Sequence, residues 1–288
     1  MNPALSAVRI GLGRGWTEFR HSLATGQEYV FTLMTSGIIL VVLYFQRDNA
    51  IAGTPLSLAT LALPGVVGGL VAFNTLTGAA FALAFEREDG TLLRAKAAPF
   101  GVVGYLAGQV VRIPLNTVLQ ILILLVPGLL LIDGLASTGA YGWFTFLWVL
   151  ALGLLATLPF GLLLGGLVAN PRVAGQTVSL GSAALIAISG IFYPISALPG
   201  WLHPVAEFFP FYWLGLGMRS ALLPDAAAAV ELSGSWRHLE TVAVLGAWAV
   251  FGLLLAPVVL RRMARRESGA SVEARRGDRR PRNGSVER

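Results

Sequence analysis

Residues 85–99 read FEREDGTLLRAKAAP and separate two very long apolar runs. Six charged side chains are concentrated in this stretch: Glu86, Arg87, Glu88, Asp89, Arg94 and Lys96. Charged groups are costly to place in hydrocarbon, so the stretch predicts a soluble connection between two membrane helices. Gly90 allows the backbone to turn, Thr91 can cap a new helix, and Pro99 stops it. We therefore expect a helix exit over residues 86–88, a break at Gly90 and Thr91, and a short new helix over residues 92–98.

This short helix would expose Leu92 and Leu93 beside the basic residues Arg94 and Lys96. An apolar ridge with charged edges suits the groove of a partner protein. The composition alone also allows an ordinary charged loop that marks the edge of the membrane.

The composition as a whole is that of an integral membrane protein. Of the 288 residues, 55% are hydrophobic and only 12% are charged, and the mean hydropathy is +0.71. Soluble domains carry about 25% charged residues. Soluble binding modules and nucleic-acid readers are therefore poor candidates, despite the net charge of +6.

Several kinds of chemistry are excluded by residue counts. The chain has no cysteine, and its three histidines, at positions 21, 203 and 238, lack the spacing of a metalloprotease site. Lys96 is the only lysine and is followed by Ala97, so the chain cannot form a Gly-x-x-x-x-Gly-Lys-Ser/Thr phosphate loop. An ion-coupled carrier would need ionisable groups near the membrane midplane, and the predicted spans carry none apart from Arg112 near one end.

A span needs about 20 apolar residues, and the chain offers six such stretches. They are residues 29–45, 58–85, 105–132, 143–169, 173–193 and 239–260. The alternate sides of these spans carry eighteen and three Lys and Arg residues. By the positive-inside rule, both termini and the 85–99 stretch are cytoplasmic.

Residues 1–28 predict an amphipathic helix that lies in the membrane interface. Its apolar positions recur every three or four residues: Leu5, Val8, Leu12, Trp16, Phe19 and Leu23. Arg14 and Glu18 point the other way. Packing of such a helix on a soluble domain is the alternative. At the other end, residues 261–288 form a basic tail whose first arginines suit anionic lipid and whose remainder has a composition typical of disorder.

Residues 196–237 lie between the fifth and sixth spans and are too apolar for an ordinary loop. We expect short helices that dip part-way into the membrane. Six aromatic residues would lie at headgroup depth: Trp201, Phe208, Phe209, Phe211, Tyr212 and Trp213. An aromatic belt without a substrate role is the simpler interpretation.

One face of the third span is polar. Its members at helical spacing are Tyr105, Gln109, Arg112, Asn116 and Gln120. Such a face must point into protein or water. Gln109, Asn116 and Gln120 are candidates for a substrate path, and a helix-packing interface joined by amides is the alternative.

Two motifs resemble those of one transporter family. The run Glu86-Arg87-Glu88-Asp89-Gly90-Thr91-Leu92-Leu93-Arg94 to Pro99 resembles the first cytoplasmic loop of ABC-2 type transporter permeases. The run from Tyr193 to Leu202 resembles their outer-face signature, carried here by Pro194, Leu198, Pro199, Trp201 and Leu202. The resemblance covers the chain up to about residue 266.

The resemblance implies an all-α membrane protein, with an interfacial helix (1–28), a six-helix transmembrane domain (29–260) and a basic tail (261–288). It implies the permease subunit of a bacterial ABC exporter in the inner membrane, moving an amphipathic drug, natural product, lipid or glycan outward.

Residues 86–94 would dock on a separate ATPase that binds ATP and Mg²⁺. This ATPase would be present in two copies beside a second permease chain. The permease itself would bind no cofactor or metal and catalyse no reaction. An ion-coupled carrier or a non-transporting membrane assembly subunit is the alternative.

Overall fold

A computed structural model describes residues 3–24, 26–50, 56–89, 100–136, 138–168, 170–193, 195 and 198–266. The described residues are helical almost throughout, and an isolated bridge between Ala50 and Ser57 is the only β pairing among them. The α-helices are α1 (Pro3–Ala24), α2 (Gly26–Gln46), α3 (Leu58–Asp89), α4 (Gly101–Leu131), α5 (Gly139–Leu167), α6 (Pro171–Ala187), α7 (His203–Phe208), α8 (Pro210–Leu222) and α9 (His238–Arg266). The predicted all-α class is confirmed.

Four of these helices are long and apolar enough to cross a membrane. Their qualifying segments are Leu58–Glu88, Val103–Leu131, Gly139–Leu167 and His238–Leu260. Two further apolar segments, Thr32–Gln46 in α2 and Val173–Ala187 in α6, are shorter. The predicted fifth span, 173–193, ends early as a helix, at Ala187, and the backbone then turns at Gly190, which has a φ of +66°.

Helix α3 lies at the centre of the structure and packs against α4, α5, α6 and α8. Small residues bring the backbones together: a Cβ added to Gly161 of α5 would lie 2.4 Å from the carbonyl oxygen of Leu76. A Cβ added to Gly165 would lie 2.9 Å from the Cα of Ala80. Close approach of this kind is the usual way to pack helices in a medium that supplies no hydrophobic drive between them.

Helix α8 is buried along its whole length, between α3 and α5. Phe211, Tyr212 and Trp213 are at most 2% exposed, so they pack inside the protein. Their headgroup depth stays a prediction. Trp201 and Phe208, in contrast, are largely exposed. Pro210 is the first residue of α8. The sequence pattern did not separate the buried from the exposed aromatic residues.

Helix α1 has the predicted amphipathic character. Leu5, Leu12, Trp16 and Leu23 are exposed on one side. The opposite side, with Gly11 and Gly15 buried, packs on α4. The exposed apolar side is the surface that an interfacial helix would offer to lipid.

Candidate coupling site

Helix α3 continues through Glu86, Arg87 and Glu88 and ends at Asp89, directly before the predicted break at Gly90. Glu86 and Arg87 therefore project from a continuous helix toward different neighbours. Arg87 is 6% exposed, and its guanidinium donates hydrogen bonds to the carbonyl oxygens of Val168 at 2.8 Å and Gly165 at 3.4 Å. These carbonyls lie at the C-terminal end of α5, where a cation is favoured by the helix dipole. Arg87 thus fixes the end of α3 to the end of α5.

Glu86 connects α3 to α1. Its Oε1 accepts a hydrogen bond from the guanidinium of Arg14 at 3.3 Å. Glu88 also has an interaction in the structure, and Asp89 is the last residue of α3. The other predicted coupling residues, Gly90, Thr91, Leu92, Leu93 and Arg94, lie outside the described residues.

Arg14, Glu18, Glu86 and Arg112 together form an inner cluster that joins α1, α3 and α4. Arg14 Nε lies 2.6 Å from Glu18 Oε1, and Arg112 Nε lies 3.5 Å from Glu18 Oε2. The pKa of Arg14 is raised: burial alone would lower it, but the hydrogen bond to Glu18 and the negative charges of Glu18 and Glu86 outweigh that effect. The charged form of Arg14 is therefore stabilised by its acidic neighbours.

The inner cluster has hydrogen-bonding capacity that the described residues leave unused. Glu86 Oε2, the hydroxyl of Tyr105 and Arg112 Nε are buried without a hydrogen-bond partner in the described part of the chain. Arg112 does donate through another nitrogen to Gln109 Oε1, at 3.2 Å. Buried polar atoms without partners are uncommon and costly, and they are found where groups rearrange or bind.

Helices α1 and α4 meet beside the inner cluster through a glycine seam of Gly11, Gly15, Gly104 and Gly108. A Cβ added to Gly11 would lie 2.0 Å from the carbonyl oxygen of Gly104. One added to Gly15 would lie 2.3 Å from that of Gly108. Neither space can hold a side chain, so α1 and α4 approach this closely only because these positions are glycine. In a chain with 34 glycines, no sequence signal singled out these four.

The predicted polar face of α4 is engaged with neighbouring helices. Gln109 is 1% exposed. Asn116 Oδ1 accepts a hydrogen bond from Ser22 Oγ of α1 at 3.1 Å. Gln120 Oε1 accepts one from Asn74 Nδ2 of α3 at 2.7 Å. These contacts have the form of amide-joined helix packing, and the role of the three residues in a substrate path stays a prediction.

The outer-face motif forms a turn that leads into α7. Leu198 donates its backbone N–H to Ile195, and its carbonyl oxygen lies 3.1 Å from His203 Nε2. A short 3-10 helix, Gly200–Leu202, follows Pro199 and exposes 72% of Trp201. Pro194 lies outside the described residues.

An outer pair of Arg219 and Glu231, at this same end of the structure, went unrecognised in the sequence. Arg219 Nε lies 2.6 Å from Glu231 Oε1, and a second nitrogen lies 3.2 Å from Oε2. The two side chains are 3% and 2% exposed. Arg219 also donates to the carbonyl oxygen of Gly190 at 3.1 Å, beyond the end of α6. The one available signal was a lone arginine in the apolar run of α8 with an acid twelve residues later.

A family model for the ABC-2 type transporter matches residues 7–223, from α1 to just after the end of α8. This match covers most of the chain, and the protein belongs to the ABC-2 type transporter family. Membrane domains of this family are typically non-catalytic subunits that act with an ABC ATPase. No curated protein compared with the sequence matched it.

Proposed function

We propose that this protein is the permease subunit of an ATP-driven exporter, in which residues 86–99 receive movement from a separate ATPase. The observation that carries the proposal is the placement of Glu86 and Arg87. Adjacent residues at the root of this segment bind α1 on one side and the end of α5 on the other. A force applied to the segment would therefore reach three helices at once.

The proposed topology has six spans, with α2 and α6 joining the four long helices. Helix α2 has 21 residues and is about 31 Å long at 1.5 Å per residue, enough for the hydrocarbon core. Helix α6 is shorter, with 17 residues, and is proposed as the fifth span. Six crossings and the positive-inside rule together favour a bacterial inner-membrane protein with both termini in the cytoplasm. Helices α7 and α8 would then form the re-entrant outer segment.

The proposed mechanism is transmission through the inner cluster. ATP and Mg²⁺ binding would close two partner ATPases and displace the 86–99 segments docked on them. Helix α4 directly follows this segment, and the glycine seam would make α1 move with it. Two permease chains, identical or homologous, would enclose the path between them. Gln109, Asn116 and Gln120 are the side chains proposed to reach this path when the helices separate.

The expected cargo is an amphipathic drug, natural product, lipid or glycan moved outward. The family supports a transport role, and the apolar bundle, with few charges in its spans, suits a cargo with a large apolar part. The inner-membrane exporter could thereby contribute to multidrug resistance.

Two double variants test the coupling role: one reverses the charges of Glu86 and Glu88, and the other disrupts the apolar ridge of Leu92 and Leu93. We expect Glu86→Arg with Glu88→Arg, or Leu92→Asp with Leu93→Asp, to abolish copurification of a co-expressed ATPase while the permease still inserts in the membrane. The matched control is Asp48→Arg, a charge reversal at a side chain that is 87% exposed at the other end of the structure. The proposal fails if the control and the coupling variants retain the ATPase equally.

A further inference from the structure

An apolar groove lies between α4, α5 and α9. It is lined by apolar side chains alone: Leu106, Val110, Leu154, Leu155, Leu158, Pro159, Leu162, Leu253, Ala256 and Pro257. Leu158, Leu162 and Ala256 are buried and form its floor, whereas Val110 and Leu253 are exposed at its rim. The groove is a slot that opens on one side to the outer surface of the helix bundle.

The groove results from how α5 and α9 pack. Their backbones approach closely at Gly252, where an added Cβ would lie 2.8 Å from the Cβ of Pro159. Beyond this contact α9 contains Pro257, which cannot donate a helical hydrogen bond and disfavours a straight helix. Helix α4 packs mainly on α1 and α3 and touches α5 and α9 at few points. The three helices therefore leave a space between them.

The position of the groove along the helices places it near their inner ends. Leu106 is near the start of α4, Leu162 is near the end of α5, and Pro257 is in the second half of α9. Under the orientation proposed above, on which this inference rests, this is the depth of the cytoplasmic leaflet. A slot of purely apolar side chains at that depth takes hydrocarbon and offers nothing to a polar ligand.

Positive charge follows the groove along α9. Four arginines occur within the last six residues of the helix: Arg261, Arg262, Arg265 and Arg266. Arg261 comes four residues after Pro257, which is about 6 Å along a helix. Basic clusters directly cytoplasmic of a membrane helix attract anionic headgroups. An acyl chain in the groove would thus carry its headgroup to the level of these arginines.

We propose that the groove between α4, α5 and α9 binds an acyl chain of an anionic phospholipid of the cytoplasmic leaflet, whose headgroup is held by the arginines at the end of α9. The order of features along α9 favours a lipid. The groove-lining residues of this helix are followed directly by its basic cluster. A helix from a second copy of the chain is the alternative occupant of the groove, and the dimer readout below distinguishes it.

The test uses the full chain in nanodiscs of phosphatidylcholine with a small fraction of phosphatidylglycerol. Native mass spectrometry after release counts the phospholipids retained on the protein. We expect the unmodified chain to retain phosphatidylglycerol at least several-fold above its fraction in the disc. Leu253→Trp, which fills the rim of the groove, should reduce this enrichment several-fold. Leu254→Trp is the control, since Leu254 is 68% exposed on the same helix and does not line the groove.

A second rim variant and its control, both on α4, show whether misfolding of the α9 variant explains its effect. Val110→Trp at the rim should act as Leu253→Trp does, whereas Leu122→Trp, at an equally exposed position of α4 outside the groove, should not. Replacing the four arginines by glutamine should abolish the preference for phosphatidylglycerol.

The inference is overturned if the unmodified chain shows no enrichment, or if rim and control variants retain lipid equally. It is also overturned if the rim variants convert a dimer to a monomer without changing lipid retention, because a second copy would then cover the groove. None of these readouts involves the ATPase, so failure here is distinct from failure of the coupling role.

Discussion

The two ends of the bundle hold their charges in different ways. In the outer pair, Arg219 and Glu231 are almost fully buried and joined by two hydrogen bonds, and Arg219 also binds a carbonyl beyond α6. In the inner cluster, Arg14 is 41% and Glu86 14% exposed, and the bond between them is 3.3 Å long. The inner cluster also includes buried polar atoms that lack a hydrogen-bond partner among the described residues.

This difference indicates which end moves. A buried, doubly bonded ion pair has one favourable geometry, and separating it would expose both charges to an apolar interior. Partly exposed pairs cost little to separate, because water replaces the partner. We therefore infer that the outer end anchors the helices and that the inner end, which holds the root of the 86–99 segment, is the joint.

Breaking the outer pair should have the largest effect. Glu231→Leu leaves Arg219 charged and buried without its carboxylate, so the free energy of unfolding should fall by about 3–5 kcal/mol. Chemical unfolding of the purified protein in detergent measures this loss. The double variant Arg219→Leu with Glu231→Leu removes both charges and should be much less destabilised. Equal losses in the single and double variants would show that the pair's charges are not what stabilises this end.

The glycine seam should give the next largest effect. Gly15→Ala places a methyl group against the backbone of Gly108 and should cost about 1–3 kcal/mol by overpacking. Gly13→Ala, on the same helix with nothing within 4 Å of the added atom, should be neutral or stabilise α1 by up to about 1 kcal/mol. The comparison of the two unfolding midpoints checks the seam. Similar midpoints would mean that α1 does not depend on close packing with α4.

The inner pair of Arg14 and Glu86 should give the smallest effect. A double-mutant cycle with Arg14→Gln and Glu86→Gln should yield a coupling energy of about 0.2–1 kcal/mol. The coupling should weaken with added salt, because the exposed part of the pair is screened. A coupling energy as large as that of the outer pair would contradict the assignment of the inner end as the joint.

A helix could be predicted from the sequence where the length of its apolar run alone determines its position. The segments of α3, α4, α5 and α9 follow the apolar runs closely, because a run of about 20 apolar residues has few alternatives. The predicted span 58–85 ended four residues before α3 does, since charge marks the membrane boundary but does not end a helix. Arg87 shows the reason: its charge is compensated by α5, which the local sequence cannot reveal.

The candidate site could be located in the sequence but not assembled. The cluster of charges at residues 86–89 identified the root of the coupling segment. Its partners Arg14 and Arg112 come from helices before and after it, and only packing brings them together. The burial of Phe211 to Trp213 was missed for a related reason, because aromatic residues suit both a membrane interface and a protein core.

Cross-linking tests the central claim most directly, because the chain contains no cysteine. A single Leu92→Cys substitution, treated with a maleimide–amine cross-linker in the presence of the co-expressed ATPase, should give a permease–ATPase adduct. Trp201→Cys, at an exposed position of the opposite end, should give none. An adduct of equal yield from Trp201→Cys, or no adduct from Leu92→Cys while the ATPase copurifies, would contradict docking of the ATPase on residues 86–99.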